Sequence, residues 1–369
     1  MTHVDVAIAR RLTTTATLVA ALALSACATA RPAGSSQPAT TPAVAPAPAT
    51  QKPGTPSAAP AASAAAPQKP VPRRTATSRD GTRIVYEVEG AGPPLLLVHG
   101  GGQTGRSWAE RGYVEKLRGR FTVITMDLRG AGESGRPAVP DAYALDRHLE
   151  DIAAVADAAK APRFHLWGFG HGATIGRYLA ARSDRVISAV LVGATLGPAL
   201  EGVVKDAILG MRAKWLPLIQ QQMAGTLKVD ALSNSDRTGW DAGVAVSALA
   251  LGAMVDYPPL EPAEIKAPTL WLIGAADTSA LDNVKAYEGK LAGTKVRLKL
   301  LSGASYTDSF GKIELSLAEA VPFLTGSAST TTSPLPAVAM DMRVGRRQPP
   351  SRPVVLRTGA TANQQGDAL

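Results

Sequence analysis

The chain has 369 residues, is 45% hydrophobic and carries a formal net charge of +9, which is ample apolar material for a core. Lys and Arg outnumber the acids before residue 75 and after residue 325, whereas the two signs balance between those points. A neutral centre with basic ends excludes a nucleic-acid groove and leaves at most weak attraction to an anionic membrane surface.

At the N-terminus, Arg10 and Arg11 precede "LTTTATLVAALALSAC", an apolar run too short and too abruptly ended for a standard spanning helix. It closes on Leu24-Ser25-Ala26-Cys27, which resembles the bacterial lipobox, where the cysteine is acylated and becomes the mature N-terminus. Residues 1–26 are therefore expected to be a lipoprotein signal peptide, with Cys27 the lipidation site. An ordinary signal peptide with an incidental cysteine is the alternative. Cys27 is the only cysteine, so no intrachain disulfide forms. More than one acyl chain gives stable attachment. The expected location is the cell envelope: the outer membrane of a Gram-negative cell, or otherwise the outer face of the cytoplasmic membrane.

Residues 27–74 are rich in Ala, Pro, Ser and Thr with almost no bulky apolar side chains. Such a composition cannot bury enough surface to offset its ordering entropy, which predicts a disordered, Pro-stiffened tether. Residues 326–369 read the same way, as a basic tail. One compact domain, 75–325, remains.

Within it, "TRIVYEVEG", "PLLLVHG", "FTVITMDLRG", "RFHLWGFG", "VISAVLVGA", "PTLWLIGAAD" and "KVRLKLLSG" are predicted strands. Amphipathic patterns such as "YALDRHLEDIAAVADAAK" and "GATIGRYLAARS" lie between them. Near-continuous Val, Ile and Leu strands alternating with helices predict an α/β fold with a mostly parallel sheet covered on both faces. Residues 197–262 break the rhythm with helix-like segments and no clear strand. An apolar helical insertion over strand ends is expected to form a lid on a pocket.

Five motifs in order resemble the α/β-hydrolase superfamily. "PPLLLVHGGGQTGRSW" is similar to the third strand and oxyanion loop of that family, with His99, Gly100, Gly101 and Gly102. "MDLRGAGESGRP" is similar to its D-x-R-G-x-G-x-S signature, and Asp127, Arg129 and Ser134 are read as scaffold within it. "HLWGFGHG" falls at the nucleophile elbow, "APTLWLIGAAD" at the strand that brings the acid, Asp277, and "LLSGASYTDSF" at the loop that normally offers histidine. The resemblance implies an α/β-hydrolase fold with an eight-stranded sheet and a helical lid.

It also exposes two losses. The elbow normally reads G-x-S-x-G because the flanking residues must be small and the nucleophile sits at a strained conformation. Here Gly168 and Gly172 are kept, but the central residue is Gly170, which has no oxygen to attack a carbonyl. Tyr306 occupies the histidine position, and a phenol is a poor base at neutral pH. The five histidines are His3, His99, His148, His165 and His171, none beyond the elbow. Asp277, left as an orphan acid, is expected to accept a hydrogen bond from Tyr306. His171 is expected to offer mainly its backbone N–H to an oxyanion hole shared with the Gly101-Gly102 region. Neither a cofactor nor a metal site is expected, since His165, His171 and Asp277 lack the close spacing of a zinc site.

Three functions fit these residues. One is a pseudo-hydrolase that binds a small apolar or carbonyl-containing ligand, or a protein partner of unknown identity, in the old cleft. Another is an enzyme with a non-standard constellation built on His171, Tyr306 or Asp277, such as a weak esterase, a lyase or a cofactor-free oxygenase. The third is a scaffold lipoprotein of an envelope complex.

Overall fold

The computed structural model describes residues 71–326. The expected signal peptide, Cys27, almost all of the tether and the C-terminal tail lie outside the described residues.

Eight strands form one sheet: β1 (Arg74–Thr77), β2 (Arg83–Glu89), β3 (Pro94–Val98), β4 (Thr122–Met126), β5 (Phe164–Phe169), β6 (Val186–Val192), β7 (Thr269–Gly274) and β8 (Val296–Leu301). Their order is β1-β2-β4-β3-β5-β6-β7-β8. β1–β2 and β2–β4 pair antiparallel, and every later pairing is parallel. Seven of the eight are the strands predicted. The eighth, β1, begins at Arg74, so ordered structure starts within the segment read as tether.

The helices are α1 (Arg106–Glu110), α2 (Tyr113–Leu117), α3 (Leu145–Ala158), α4 (His171–Arg182), α5 (Gly202–Met223), α6 (Asn234–Asp241), α7 (Val244–Ala253), α8 (Thr278–Tyr287), α9 (Asp308–Gly311) and α10 (Ile313–Leu324). Side chains alternate across a strand, and here that alternation builds two cores. Leu96, Val98, Ile124 and Leu166 pack on one face of the sheet, and Leu95, Leu97, Trp167 and Val190 pack on the other. Burial on both faces is why these strands are apolar without interruption.

The segment between β6 and β7 carries α5, α6 and α7. Its neck is closed by an isolated antiparallel bridge between Gly197 and Leu260, with the Leu260 N–H donating to the Gly197 carbonyl at 2.9 Å. The insertion has its own small core, in which Trp215 and Ile219 of α5 meet Leu249 of α7 and Tyr143.

Candidate functional site

In open α/β sheets, binding sites form at the carboxyl ends of the parallel strands, and the expected motifs all arrive there. Gly170 lies between β5 and α4 at φ 51°, ψ −114°, a conformation L-residues adopt only under strain. The turn is fixed by its backbone. The Gly170 N–H donates to the Val192 carbonyl at 2.9 Å, and the Gly170 carbonyl accepts from the Thr174 N–H at 2.8 Å and from the Thr174 hydroxyl at 3.1 Å. Its neighbours are glycine for steric reasons. A Cβ at Gly168 would stand 2.6 Å from the Ala173 nitrogen, and one at Gly172 would fall on the Val98 carbonyl.

Above this turn stands Tyr306. A Cβ built on Gly170 would collide with the Tyr306 hydroxyl, while the next nearest atoms, Tyr306 Cζ and Gly100 Cα, are 3.6 Å and 3.7 Å away. The phenol ring lies over a second glycine, Gly193 at the end of β6, where a Cβ would be 2.7 Å from Cε2. Gly170 and Gly193 thus form a slot that the tyrosine fills. Phe169 flanks it at 5.1 Å between ring centroids and stacks on Phe310 at 4.4 Å.

The loop carrying Tyr306 is pinned on both sides. The Ser305 hydroxyl donates to Asp308 Oδ2 at 2.9 Å, the Asp308 N–H donates to Ser305 Oγ at 3.1 Å, and the Ser309 hydroxyl donates to the Tyr306 carbonyl at 2.5 Å. Ser305 is therefore occupied in shaping its loop. Burial, and then the charge of Asp277, push the Tyr306 phenol further up from its ordinary value, making it a still weaker base source.

Asp277 does not accept the hydrogen bond expected from Tyr306, and no such bond joins them among the described residues. Its Oδ1 accepts from the Ala280 N–H at 3.2 Å, so the carboxylate caps the first turn of α8. Burial raises its pKa, and the backbone hydrogen bonds of Ala280 and Ser279 oppose that rise.

The oxyanion loop keeps its course but is covered. His99 is fixed by two backbone contacts: Nδ1 lies 2.8 Å from the Gly100 carbonyl, and Nε2 accepts from the Leu128 N–H at 3.0 Å. This pairing assigns the proton to Nδ1 and leaves no free nitrogen for proton transfer. The Gly100 N–H donates to Gln103 Oε1 at 3.0 Å. Gly102 sits at φ 71°. Over Gly101 lies Leu251 of α7, whose Cδ2 is 2.8 Å from where a Cβ would be. Leu251 and Gln103 escaped the sequence reading. Leu251 is one apolar residue among many in its helix, and nothing in its spacing marks its target.

The side chain of His171 leaves the cleft and turns into the protein. Its ring meets His148 of α3 edge-on at 5.2 Å. Nε2 of His171 and both ring nitrogens of His148 are buried without a hydrogen-bond partner among the described residues. Burial, with a further contribution from His99, lowers the His171 pKa to about 3. Burial foremost, then neighbouring His171, drives His148 well below its ordinary value. Both rings are neutral at physiological pH. His165 pairs instead with the Ser188 hydroxyl at 2.8 Å, so His165, His171 and Asp277 do not converge.

The scaffold residues behave as read. Asp127 accepts from the Gly105 N–H at 2.8 Å and the Glu133 N–H at 2.9 Å. The Ser134 hydroxyl donates to the Asp127 carbonyl at 2.7 Å. Arg129, fully buried, pairs bidentately with Asp151 at 2.7 Å and 2.6 Å and reaches Asp80 at 2.8 Å.

Tyr306 stands over Gly170 and Leu251 over Gly101 at the strand ends. A cavity of about 240 Å³ lies elsewhere, between the insertion and residues 140–145.

Residues 93–235 match the family described as the α/β hydrolase fold. An uncharacterised protein of Mycobacterium tuberculosis is 31% identical over 146 residues, 39% of this chain and 40% of the relative. A putative carbamate hydrolase of Azorhizobium caulinodans is 38% identical over 110 residues, 30% of this chain and 40% of its own length. Haloalkane dehalogenase 2 of Mycobacterium bovis is 36% identical over 118 residues, 32% and 40% of the two chains. The chain thus spans well under half the length of the curated relatives it matches. Among solved structures, a membrane phospholipase A described as a bacterial virulence factor superposes with TM-score 0.53 at 25% identity, covering 70% of this chain and 86% of the other. A hydrolase from Pseudomonas aeruginosa gives 0.53 at 25%, covering 69% and 98%.

Proposed function

We propose that this chain, which belongs to the α/β-hydrolase superfamily, is a pseudo-hydrolase that works by binding and not by turnover. One observation carries the reading: the Tyr306 hydroxyl fills the space into which a nucleophile at position 170 would project. A Ser-His-Asp hydrolase needs an oxygen there and an imidazole beside it. This elbow has neither: the ring of the adjacent His171 packs against His148, and both ring nitrogens of His99 are engaged by backbone groups. The Ser and His of a triad act as a unit, and losing either costs about 10⁶ in turnover in the subtilisin case; losing both leaves only binding and the oxyanion donors. In the oxyanion loop the Gly100 N–H is taken by Gln103, and Leu251 lies against Gly101.

The ligand class proposed is a small apolar molecule held beneath α5–α7, which act as the lid. The same domain is proposed to be displayed at a bacterial envelope through a lipid on Cys27, which would bring it close to apolar or membrane-derived compounds.

The test combines two measurements on the purified full chain. Turnover of p-nitrophenyl acetate and butyrate is expected at the rate of the buffer blank, while a panel of small apolar metabolites is expected to include compounds that raise the Tm. Saturable ester turnover above the blank contradicts the reading.

A further inference from the structure

We infer that the ligand site of this protein is the cavity on the far side of α7 from Gly170, and that it takes a small aromatic or branched aliphatic amine. This rests on the binding reading above and gives it a place and a chemistry.

The location follows from the helix itself. Successive residues of an α-helix are about 100° apart around its axis, so Ala248, Leu249, Gly252 and Ala253 share one face of α7, and Leu251 lies about 130° from the centre of that face. Leu251 packs over Gly101, whereas the other four line the cavity. One helix thus packs on the oxyanion loop with one face and walls the cavity with another. The opposite wall comes from Leu145 and Ala144 at the start of α3, and neither Gly170 nor Tyr306 lines it.

The cavity measures about 240 Å³. An apolar void of ~150 Å³ accepts benzene, so this space suits one ring with a short side chain. Leu145, Leu216, Ala248, Leu249 and Tyr257 supply its apolar surface. Three charged side chains line it: Arg212, Asp141 and Asp256. Gly252 lets the Arg212 stem lie against α7, its Cβ position being 3.3 Å from Arg212 Cβ and Cδ. The Arg212 guanidinium is committed to Asp256 at 2.7 Å. Asp141 at the rim has no basic partner among the described residues. The mouth therefore carries one uncompensated negative charge beside an apolar floor, which selects a ligand with an apolar body and a single ammonium group.

The experiment uses 2-phenylethylamine, 2-phenylethanol and phenylacetate, three probes of similar shape with charges of +1, 0 and −1. Each is titrated against the full chain by saturation-transfer NMR. The amine is expected to bind about threefold to fivefold tighter than the alcohol, as a partly exposed charge pair allows, with phenylacetate weakest. Asp141→Asn should bring amine and alcohol level. Ala248→Phe, which fills the floor, and Ala144→Phe, which fills it from an exposed position and spares the fold, should each abolish transfer to the amine. Failure of all three probes to bind, equal affinity for phenylacetate, or amine binding that survives in both filled variants would overturn the assignment. None of these results bears on ester turnover, so this site falls separately from the inert elbow. A panel compound that stabilises wild type and Ala144→Phe alike would keep the binding reading while removing this location.

Discussion

The Tyr306 hydroxyl stands too close to Gly170 for a side-chain carbon to be added there without the hydroxyl moving. The two positions are therefore coupled: a side chain returns to the elbow only if the tyrosine hydroxyl gives way.

That coupling is measurable as a double-mutant cycle. Gly170→Ala places a Cβ at a positive φ and into the hydroxyl, and it should cost about 2–5 kcal/mol in urea unfolding, from backbone strain and overpacking together. In a Tyr306→Phe background the nearest remaining atom is Cζ at 3.6 Å, ordinary contact, so only the backbone part should persist. An interaction energy of about 1–2 kcal/mol is expected. Additive effects would place the ring elsewhere.

Gly170→Ser with Tyr306→His restores the residue types of a triad and clears the slot. Ester turnover should nevertheless stay low, because the Asp277 carboxylate remains engaged with Ala280 as the cap of α8 and Leu251 still covers Gly101. Adding Leu251→Ala to that pair should raise kcat/KM for p-nitrophenyl butyrate above the pair alone. No further gain on removing Leu251 would mean that the covering leucine is not an obstacle.

Stability should fall in mild acid. The folded-state pKa of His171 is lowered to about 3 and that of His148 lies well below its ordinary value, whereas both titrate near 6.5 when unfolded. Between those values the unfolded chain binds more protons, so stability rises with pH up to about 6.5, is flat above it, and is lost as pH drops below it. Each histidine contributes up to about 1.4 kcal/mol per pH unit in that window. His148→Leu removes two buried nitrogens that lack partners and should stabilise by about 1 kcal/mol at pH 7. It should also flatten the slope of Tm between pH 7 and 5, and an unchanged slope would contradict the assignment.

The Arg129 and Asp151 pair is bidentate and buried. Asp151→Asn leaves the guanidinium under-compensated and is expected to cost about 3–5 kcal/mol, read as a shift in the urea midpoint at constant m. A loss below 1 kcal/mol would show that Asp80 alone suffices.

Much of this was legible in the sequence. The parallel strands are buried on both faces, so they read as unbroken Leu, Ile and Val, and the elbow glycines announce a close crossing of strand and helix. The Gly197–Leu260 bridge falls at the edges of the insertion read from its break in rhythm. β1 escaped because a four-residue edge strand, Arg-Thr-Ala-Thr with three exposed side chains, has no apolar pattern. The fate of Asp277 is also written in the sequence: an Asp directly before a helical stretch is an N-cap signal, and the Ala280 N–H takes the place expected of Tyr306. What stands over the elbow and the oxyanion loop was beyond reach. Tyr306 meets Gly170 and Gly193, and Leu251 meets Gly101, only after the sheet and insertion have assembled, and no local period records such meetings.

The most direct measurement is the stoichiometry of covalent labelling by a fluorophosphonate probe, read by intact-mass spectrometry on the native full chain at pH 7.5. With hydrogen alone at position 170 and a protonated phenol above it, no adduct is expected within residues 71–326 under conditions that label a serine hydrolase to completion. A one-to-one adduct on any hydroxyl of that domain would contradict the account.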